Sequence, residues 1–595
     1  DELDYVFAGQ SLAKLGTDVS GNWSAWQLRP LITFNQTAEL TAWFHSFFYR
    51  FFFDSDMWGR IPVAVFGVGA VIAIIGLFRV ITKKWSIALW AGAFLASSPW
   101  HIFISRSGFE AGISLFFQLI LLVTVFIFLS HQGKKAKLST TSLIALALLF
   151  AGAFFFTFFT YHGAKFTALA FSVVAVVLTV LSKHTWKLKL AAVSLMVTCA
   201  VLSVSWVFFQ TQDGAYTSRQ SELLISRGQI ETLTSKDRTT TLAYDGIAPL
   251  RSVVSNPATV LFIAFLKQYS SAFDIHRLFF TGFEGTFQFS LAVHSYFMLT
   301  GLVTIPAGWW WLWKHKHQET LWLLAFFAVS PVTTAISTST QSIFRSASTY
   351  AILMAVSGVG AWVLYNFVIA KTKKLKWKNA AMYIFSGIFI AESIWFGARY
   401  FTAYPIVAIE NHDFEYRLLS NYLTRLEAKG KPAHTPVVVQ KNVWLAARAY
   451  LAYSGKVAQL SDAERESFGD VDSGKLDLTG YSFQLECSDL GSGAVQIVHP
   501  DLYLECQNER KEQASQSQDT TKPTAKVAGI QPAKKILTGL SSPVDSRTYY
   551  WVLNDPVCAE FQKPLFTTVG SFSKYRFEEL TDQEFCEAWM KREER

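Results

Sequence analysis

Long apolar runs, separated by short basic connections, fill the chain from about residue 60 to residue 400, and a more polar, irregular stretch follows. A helix needs about 20 consecutive apolar residues to cross a hydrocarbon layer of about 30 Å, because nothing there can satisfy an exposed backbone group. Ten stretches read as such spans: Ile61–Phe78, Ser86–Ile104, Ala111–Leu129, Ser142–Thr160, Phe166–Leu181, Leu190–Phe209, Leu291–Trp313, Thr320–Ile336, Ser346–Ala370 and Ala380–Phe396. Ala258–Leu266 is apolar but too short, and reads as an interfacial or re-entrant helix. After Tyr404-Pro405 the pattern changes. Phe414–Leu426 reads as a helix, and Pro436–Gln440, Ala494–Val498 and Tyr549–Leu553 as short strands. Residues 508–535 are polar and low in complexity, which reads as a mobile insertion.

Basic residues decide which connections face the cytoplasm. Arg79/Lys83/Lys84, Lys134/Lys135/Lys137, Lys183/Lys187/Lys189, Lys314/Lys316 and Lys371/Lys373/Lys374/Lys376/Lys378 occupy every second connection. The remaining connections, the opening stretch 1–60, the long loop 210–290 and the soluble part 401–595 then lie outside. The expected fold class is a polytopic α-helical membrane protein with an extracytoplasmic C-terminal α/β domain, its helices grouped in 61–209 and 291–400. Composition agrees: 51% of the 595 residues are hydrophobic and 16% charged, against roughly 25% charged in soluble domains. Ordinary soluble enzymes and disordered chains are excluded. The net charge of +9 is a topology signal and requires no nucleic-acid partner.

Within 1–60, the segment Leu40–Phe53 gathers Trp43, Phe44, Phe47, Phe48 and Phe51 on one helical face. That face suits a headgroup layer or an ordinary buried stripe equally well. Four of the five cysteines, Cys487, Cys506, Cys558 and Cys586, fall in the polar C-terminal part. They suit two disulfides in an oxidising compartment, or four buried thiols.

No phosphate-cradling glycine loop, HExxH, paired CxxC or GxSxG occurs, and no spacing argues for a metal site. The candidates are ionisable residues at the exterior ends of the spans, where charge is costly to bury. Asp1 and Glu2 are adjacent carboxylates. Arg106 and Glu110 bracket a short turn, Lys165 follows Tyr161, Arg277 lies in FDIHRLFFTG, and Arg345 ends STSTQSIFR. Each cation also suits a simple headgroup anchor. Glu392 sits inside the last span and requires a partner or water. His101 and His294 read as hydrogen-bonded packing residues.

The opening DELDYVFAGQSLAKLGTDVSGNW resembles the first exterior loop of GT-C superfamily membrane glycosyltransferases. The resemblance is to the dolichyl-phosphate-mannose–protein mannosyltransferase-like and aminoarabinose-transferase-like groups. It extends through WGRIPVAVFG, SSPWHIFISRSGFE, FFTYHGAKF, FDIHRLFFTG and SPVTTAISTSTQSIFRSAS, in order, from Asp1 to Tyr404. The resemblance implies a first membrane helix upstream of Asp1, making eleven spans. It also implies a polyprenyl-phosphate-linked sugar donor, a hydroxyl acceptor on protein, lipid or glycan, and inverting transfer in a multi-pass membrane enzyme of the cell envelope. By the same implication Asp1 is the general base, with Glu2 its partner or, one register along, the base itself. Arg106, Lys165, Arg345 and Arg277 then hold the donor phosphate, and Glu110 orients Arg106 or touches the sugar. No cofactor is certain, since some members of the superfamily use a divalent cation and others do not. A lipid-linked-sugar flippase, or an inactive scaffold presenting its C-terminal domain, are the competing readings.

Overall fold

The computed structural model of the chain describes all residues except 1, 24–26, 30–37, 53–58, 132–138, 213–222, 242–254, 283–293, 339–341, 372–374, 403, 405–413, 431–433, 469–473, 479, 486–493, 504–535, 542–546, 559–560, 562–578 and 595; certain further side chains, Glu2 and 368–382 among them, are also outside it. The chain divides into a helical unit, Asp1–Tyr5 with Ala25–Ala408, and a second unit, Val6–Ser24 with Ile409–Arg595.

Among the described residues of the helical unit, six helices are long and apolar enough to cross a membrane: Ile61–Thr82, Glu110–Ser130, Thr140–Thr160, Ala164–Leu181, Trp186–Thr211 and Ala347–Phe367. A pair bent by 65°, Trp85–Ser97 and Pro99–Arg106, makes a seventh. The bend has a local cause. Pro99 opens the second helix, and Ser98 before it is extended (φ −66°, ψ 129°), as a pre-proline residue prefers. Two expected spans are shorter as helices. Of the stretch 291–313, the described residues 294–300 are not helical and the helix Gly301–His315 has 15 residues, or about 22 Å at 1.5 Å per residue. The stretch 320–336 is helical over His317–Val329, where Ser330-Pro331 stops it. Ala380–Phe396 lies inside the 28-residue helix Leu375–Thr402, and Ala258–Leu266 inside Pro257–Ser271, which buries none of its residues.

Small residues set the closest helix approach, as lipid-embedded packing favours. A methyl group on Gly360 would collide with the Thr304 carbonyl oxygen of the neighbouring helix. The aromatic helix Thr41–Phe52 divides its face: Phe44 is buried against Phe66, Phe117 and Phe156, while Trp43, Phe47 and Phe51 are exposed.

Basic connections meet at one end of the unit. Lys84 lies over the Trp362 ring, the His184 ring nitrogen is 3.0 Å from the Phe128 carbonyl, and Lys83 sits in the field of Lys316 and Glu319. The turns carrying the candidate residues join helix ends at the other.

The second unit is built on a seven-stranded mixed sheet of order β2-β3-β1-β4-β6-β5-β7. Its strands are β1 Val437–Val439, β2 Lys475–Leu478, β3 Tyr481–Gln484, β4 Gln496–Val498, β5 Ile536–Ser541, β6 Thr548–Leu553 and β7 Met590–Glu594. β1 runs parallel to both β3 and β4, and the other pairings are antiparallel. The helices Phe414–Ala428 and Val443–Ser454 pack together over this sheet. Cys558 and Cys586 form a disulfide; Cys487, Cys506 and the insertion 508–535 lie outside the described residues.

Candidate functional site

The turns leading into Glu110 and Lys165 both meet the segment 38–41. Glu39 is fully buried, and both its carboxylate oxygens lie 2.8 Å from the Lys165 ammonium. Lys165 also donates to the Phe158 carbonyl (3.2 Å) and faces the rings of Phe158 and Phe159. Its position follows from the helix break at Tyr161, which lets the next helix restart at Ala164 with Lys165 turned inward. On either side of Glu39, Ala38 N–H and the Thr41 hydroxyl donate to Glu110 Oε2, at 3.3 and 2.9 Å. Glu110 opens the helix Glu110–Ser130, where a carboxylate also complements the helix dipole. One short segment thus holds Lys165 and Glu110 together.

Phe109, next to Glu110, links two more candidates. Its ring is 4.8 Å from that of Phe344, the residue before Arg345, and edge-on to Tyr5 at 6.4 Å. Arg345 donates to the Ser337 hydroxyl. Ser337 continues the turn Val332–Ala335, whose Thr333 donates to the Gly163 carbonyl (2.6 Å), two residues before Lys165. Tyr5 lies in the opening helix Glu2–Leu15, one turn beyond the acidic pair. Asp1 lies outside the described residues, as does the Glu2 side chain; Asp4 of the same helix is buried.

Arg106 is exposed and turns from Glu110 to aromatic partners. It donates to the Tyr400 hydroxyl (3.0 Å) and lies over the rings of Tyr400 and Tyr404. Arg277 begins a π-helical turn and pairs with Asp274 at 3.5 Å, while its buried Nη1 has no hydrogen-bond partner among the described residues. The buried Tyr296 hydroxyl, in the field of Arg277, likewise has no hydrogen-bond partner among the described residues. Half-buried Glu392 has a partner: it accepts from the backbone N–H (3.3 Å) and hydroxyl (2.9 Å) of Thr300, next to the start of the helix Gly301–His315. Among the described residues, no group of three or more His, Cys, Asp or Glu could hold a metal ion.

The structure therefore brings Glu110, Lys165 and Arg345 to one connected set of turns, and leaves Arg106 and Arg277 in separate polar contacts. Sequence reasoning passed over Glu39, Tyr296, Tyr400 and Tyr404. Glu39 carried a signal, being the one formally charged residue between Arg29 and Arg50. Tyrosines in an aromatic-rich chain carried none.

No protein-family model matches the chain, and comparison with curated protein sequences gives no match. Among solved structures, the chain is similar to ArnT from Cupriavidus metallidurans bound to undecaprenyl phosphate. The TM-score is 0.47 and the identity 13%, over 93% of each chain. The apo state of the same protein gives a TM-score of 0.44 and 11% identity, over 85% of this chain and 89% of that one.

Proposed function

We propose that this chain is an integral-membrane glycosyltransferase, moving a sugar from a polyprenyl-phosphate-linked donor to an acceptor hydroxyl on the extracytoplasmic face, with inversion. The observation that carries the reading is the Phe109 junction. A single ring touches the opening helix just after the acidic pair and the residue beside Arg345, and Glu110 is its neighbour in sequence. This junction supports the reading because Glu39, Glu110, Lys165 and Arg345, far apart in sequence, lie on neighbouring turns of the helical unit. The disulfide supports an oxidising compartment for the second unit.

The chemistry assigned to this region needs a base and a cationic cradle. The acceptor oxygen attacks the anomeric carbon as the bond to the phosphate oxygen breaks. The acceptor proton passes to Asp1, or to Glu2, and the lipid phosphate leaves as an anion without a general acid. Such base catalysis contributes roughly 10²–10⁴-fold. Arg345 holds the departing phosphate, a fixed cation stabilising charge in a partly dry site. Lys165, engaged by Glu39, adds positive field from behind, and Arg106 closes the rim with Tyr400. Glu110 holds the segment 38–41.

The test is sugar transfer by the purified protein in lipid vesicles, with a radiolabelled polyprenyl-phosphate sugar as donor. Asp1→Asn is expected to lower the rate at least about 10²-fold, and undecaprenyl phosphate is expected to compete with the donor. Transfer at an undiminished rate by both Asp1→Asn and Glu2→Gln removes the base assignment. Movement of the donor across the vesicle without transfer replaces the enzyme by a flippase.

A further inference from the structure

In the second unit, the chain leaves two adjacent parallel strands in opposite directions. Alternation along β1 and β4 puts Val438 and Ile497 on one face of the sheet, and Val439 and Val498 on the other. After β1, the helix Val443–Ser454 covers the first face, with Tyr450 against Tyr481 and Phe483, the partner of Val438. After β4, Leu502 and Tyr503 pack on the second face with Val439, Val498 and Trp551. Two neighbouring parallel strands whose continuations part in this way open a crevice at their carboxyl ends, the place where open α/β sheets bind ligands.

The residues at that point are polar. Gln440 and His499 are the first residues beyond β1 and β4 and sit side by side over Tyr550. The Gln440 amide donates to the Tyr550 hydroxyl (3.0 Å), and the His499 ring meets Tyr550 edge-on. Gln440 and Tyr550 are buried and form a fixed floor. Above them, Asp501 lies 3.6 Å from the Lys441 ammonium and 3.8 Å from His499 Nδ1, with more than half of the Lys441 and Asp501 side chains exposed.

We propose that this crevice binds a saccharide bearing one anionic group, a phosphate or a carboxylate. Lys441 takes the anion, and Asp501 and His499 accept hydrogen bonds from sugar hydroxyls. A nucleotide fits less well, because no glycine occurs from Gln440 to Ser454, whereas a pyrophosphate cradle needs close backbone approach. The crevice lies wholly within the second unit, so its occupancy does not depend on the transferase reading.

The test uses the full chain in nanodiscs, titrated with glucose 1-phosphate, glucuronate, inorganic phosphate and glucose and read by saturation-transfer NMR. At least one anionic sugar is expected to bind more tightly than glucose or phosphate alone; the first two probes separate a phosphate from a carboxylate ligand. Lys441→Gln and Asp501→Asn are each expected to weaken that binding roughly ten-fold, about 1.4 kcal/mol. Lys475→Gln, which alters an exposed pair with Asp477, is expected to leave it unchanged. An unfolding midpoint recorded for each variant separates lost binding from lost fold. No binding of either anionic sugar, binding unaffected by Lys441→Gln and Asp501→Asn, or phosphate alone binding as well as the sugars overturns the proposal.

Discussion

Lys165–Glu39 in the helical unit and Lys441–Asp501 in the second unit join the same kinds of group under opposite conditions. In the first, the side chains are 10% and 0% exposed and two 2.8 Å contacts fix the geometry. In the second they are 54% and 64% exposed, with a single contact at 3.6 Å. Burial makes an unpaired charge expensive, so the helical unit keeps its lysine only with an acid brought from 126 residues away. Water screens the other pair, leaving it nearly neutral for stability and open to exchange for a ligand. A buried cation therefore says where its partner must be, whereas an exposed one says where a partner can arrive.

The largest effect expected from this contrast is at Glu39. Glu39→Ala leaves the Lys165 ammonium in an apolar surrounding, and is expected to lower stability by roughly 3–5 kcal/mol. The double variant Glu39→Leu/Lys165→Met removes both charges and is expected to regain most of that loss. Thermal unfolding in detergent reads both. A single variant as stable as the parent would end the distinction between the two pairs.

The disulfide offers a test confined to the second unit. Cys558 and Cys586 are 28 residues apart, and losing such a cross-link costs about 3 kcal/mol in the chain-entropy view. Cys558→Ala is expected to bring forward the denaturant unfolding of the second unit, followed by limited proteolysis, while the helical unit unfolds as before. Equal losses in both units would show them to be one cooperative body.

These two tests also mark what was readable in advance. Hydropathy made Ile61–Thr82, Glu110–Ser130 and Thr140–Thr160 legible to within a few residues, because a lipid-facing helix must be apolar over its whole length. It overstated the helices beginning near residues 291 and 320, where proline and turn chemistry compete with hydrophobicity. In the second unit, β1, β4 and β6 were legible from their β-branched and aromatic runs. Strands β2 and β7, KLDL and MKREE, were not, since their polar edge positions carry little pattern. Candidate cations could be read one by one, but Glu39's place against Lys165 is a tertiary fact that no local spacing encodes.

A smaller effect separates a satisfied buried polar group from a charge pair. The fully buried Tyr422 hydroxyl donates to Asp555 Oδ1 at 2.7 Å, and the same oxygen accepts from the N–H groups of Val557 (2.9 Å) and Cys558 (3.1 Å). Burial, reinforced by Asp555, pushes the phenol well above its ordinary range, so it remains a neutral donor. Tyr422→Phe is expected to cost about 1–3 kcal/mol, less than Glu39→Ala, because two donors still hold the carboxylate. Chemical denaturation of the second unit measures it.

The smallest effect is a pH dependence at the exposed edge. Burial lowers the His499 pKa, Lys441 and Arg547 act in the same direction, and Asp501 opposes them. With the folded value below the unfolded value of about 6.5, the folded state binds fewer protons. The stability contribution is then fully present above about pH 6.5, and is lost as the pH falls from there through the folded value. His499→Gln is expected to flatten that slope in denaturant midpoints of the second unit taken between about pH 7.5 and 5. Asp501→Asn removes the opposing charge and is expected to extend the loss to lower pH. The opposite slope, with stability falling as the pH rises, would mean that Asp501 holds the imidazole charged. The edge would then be a fixed pair of the Lys165–Glu39 kind, with no partner left to exchange.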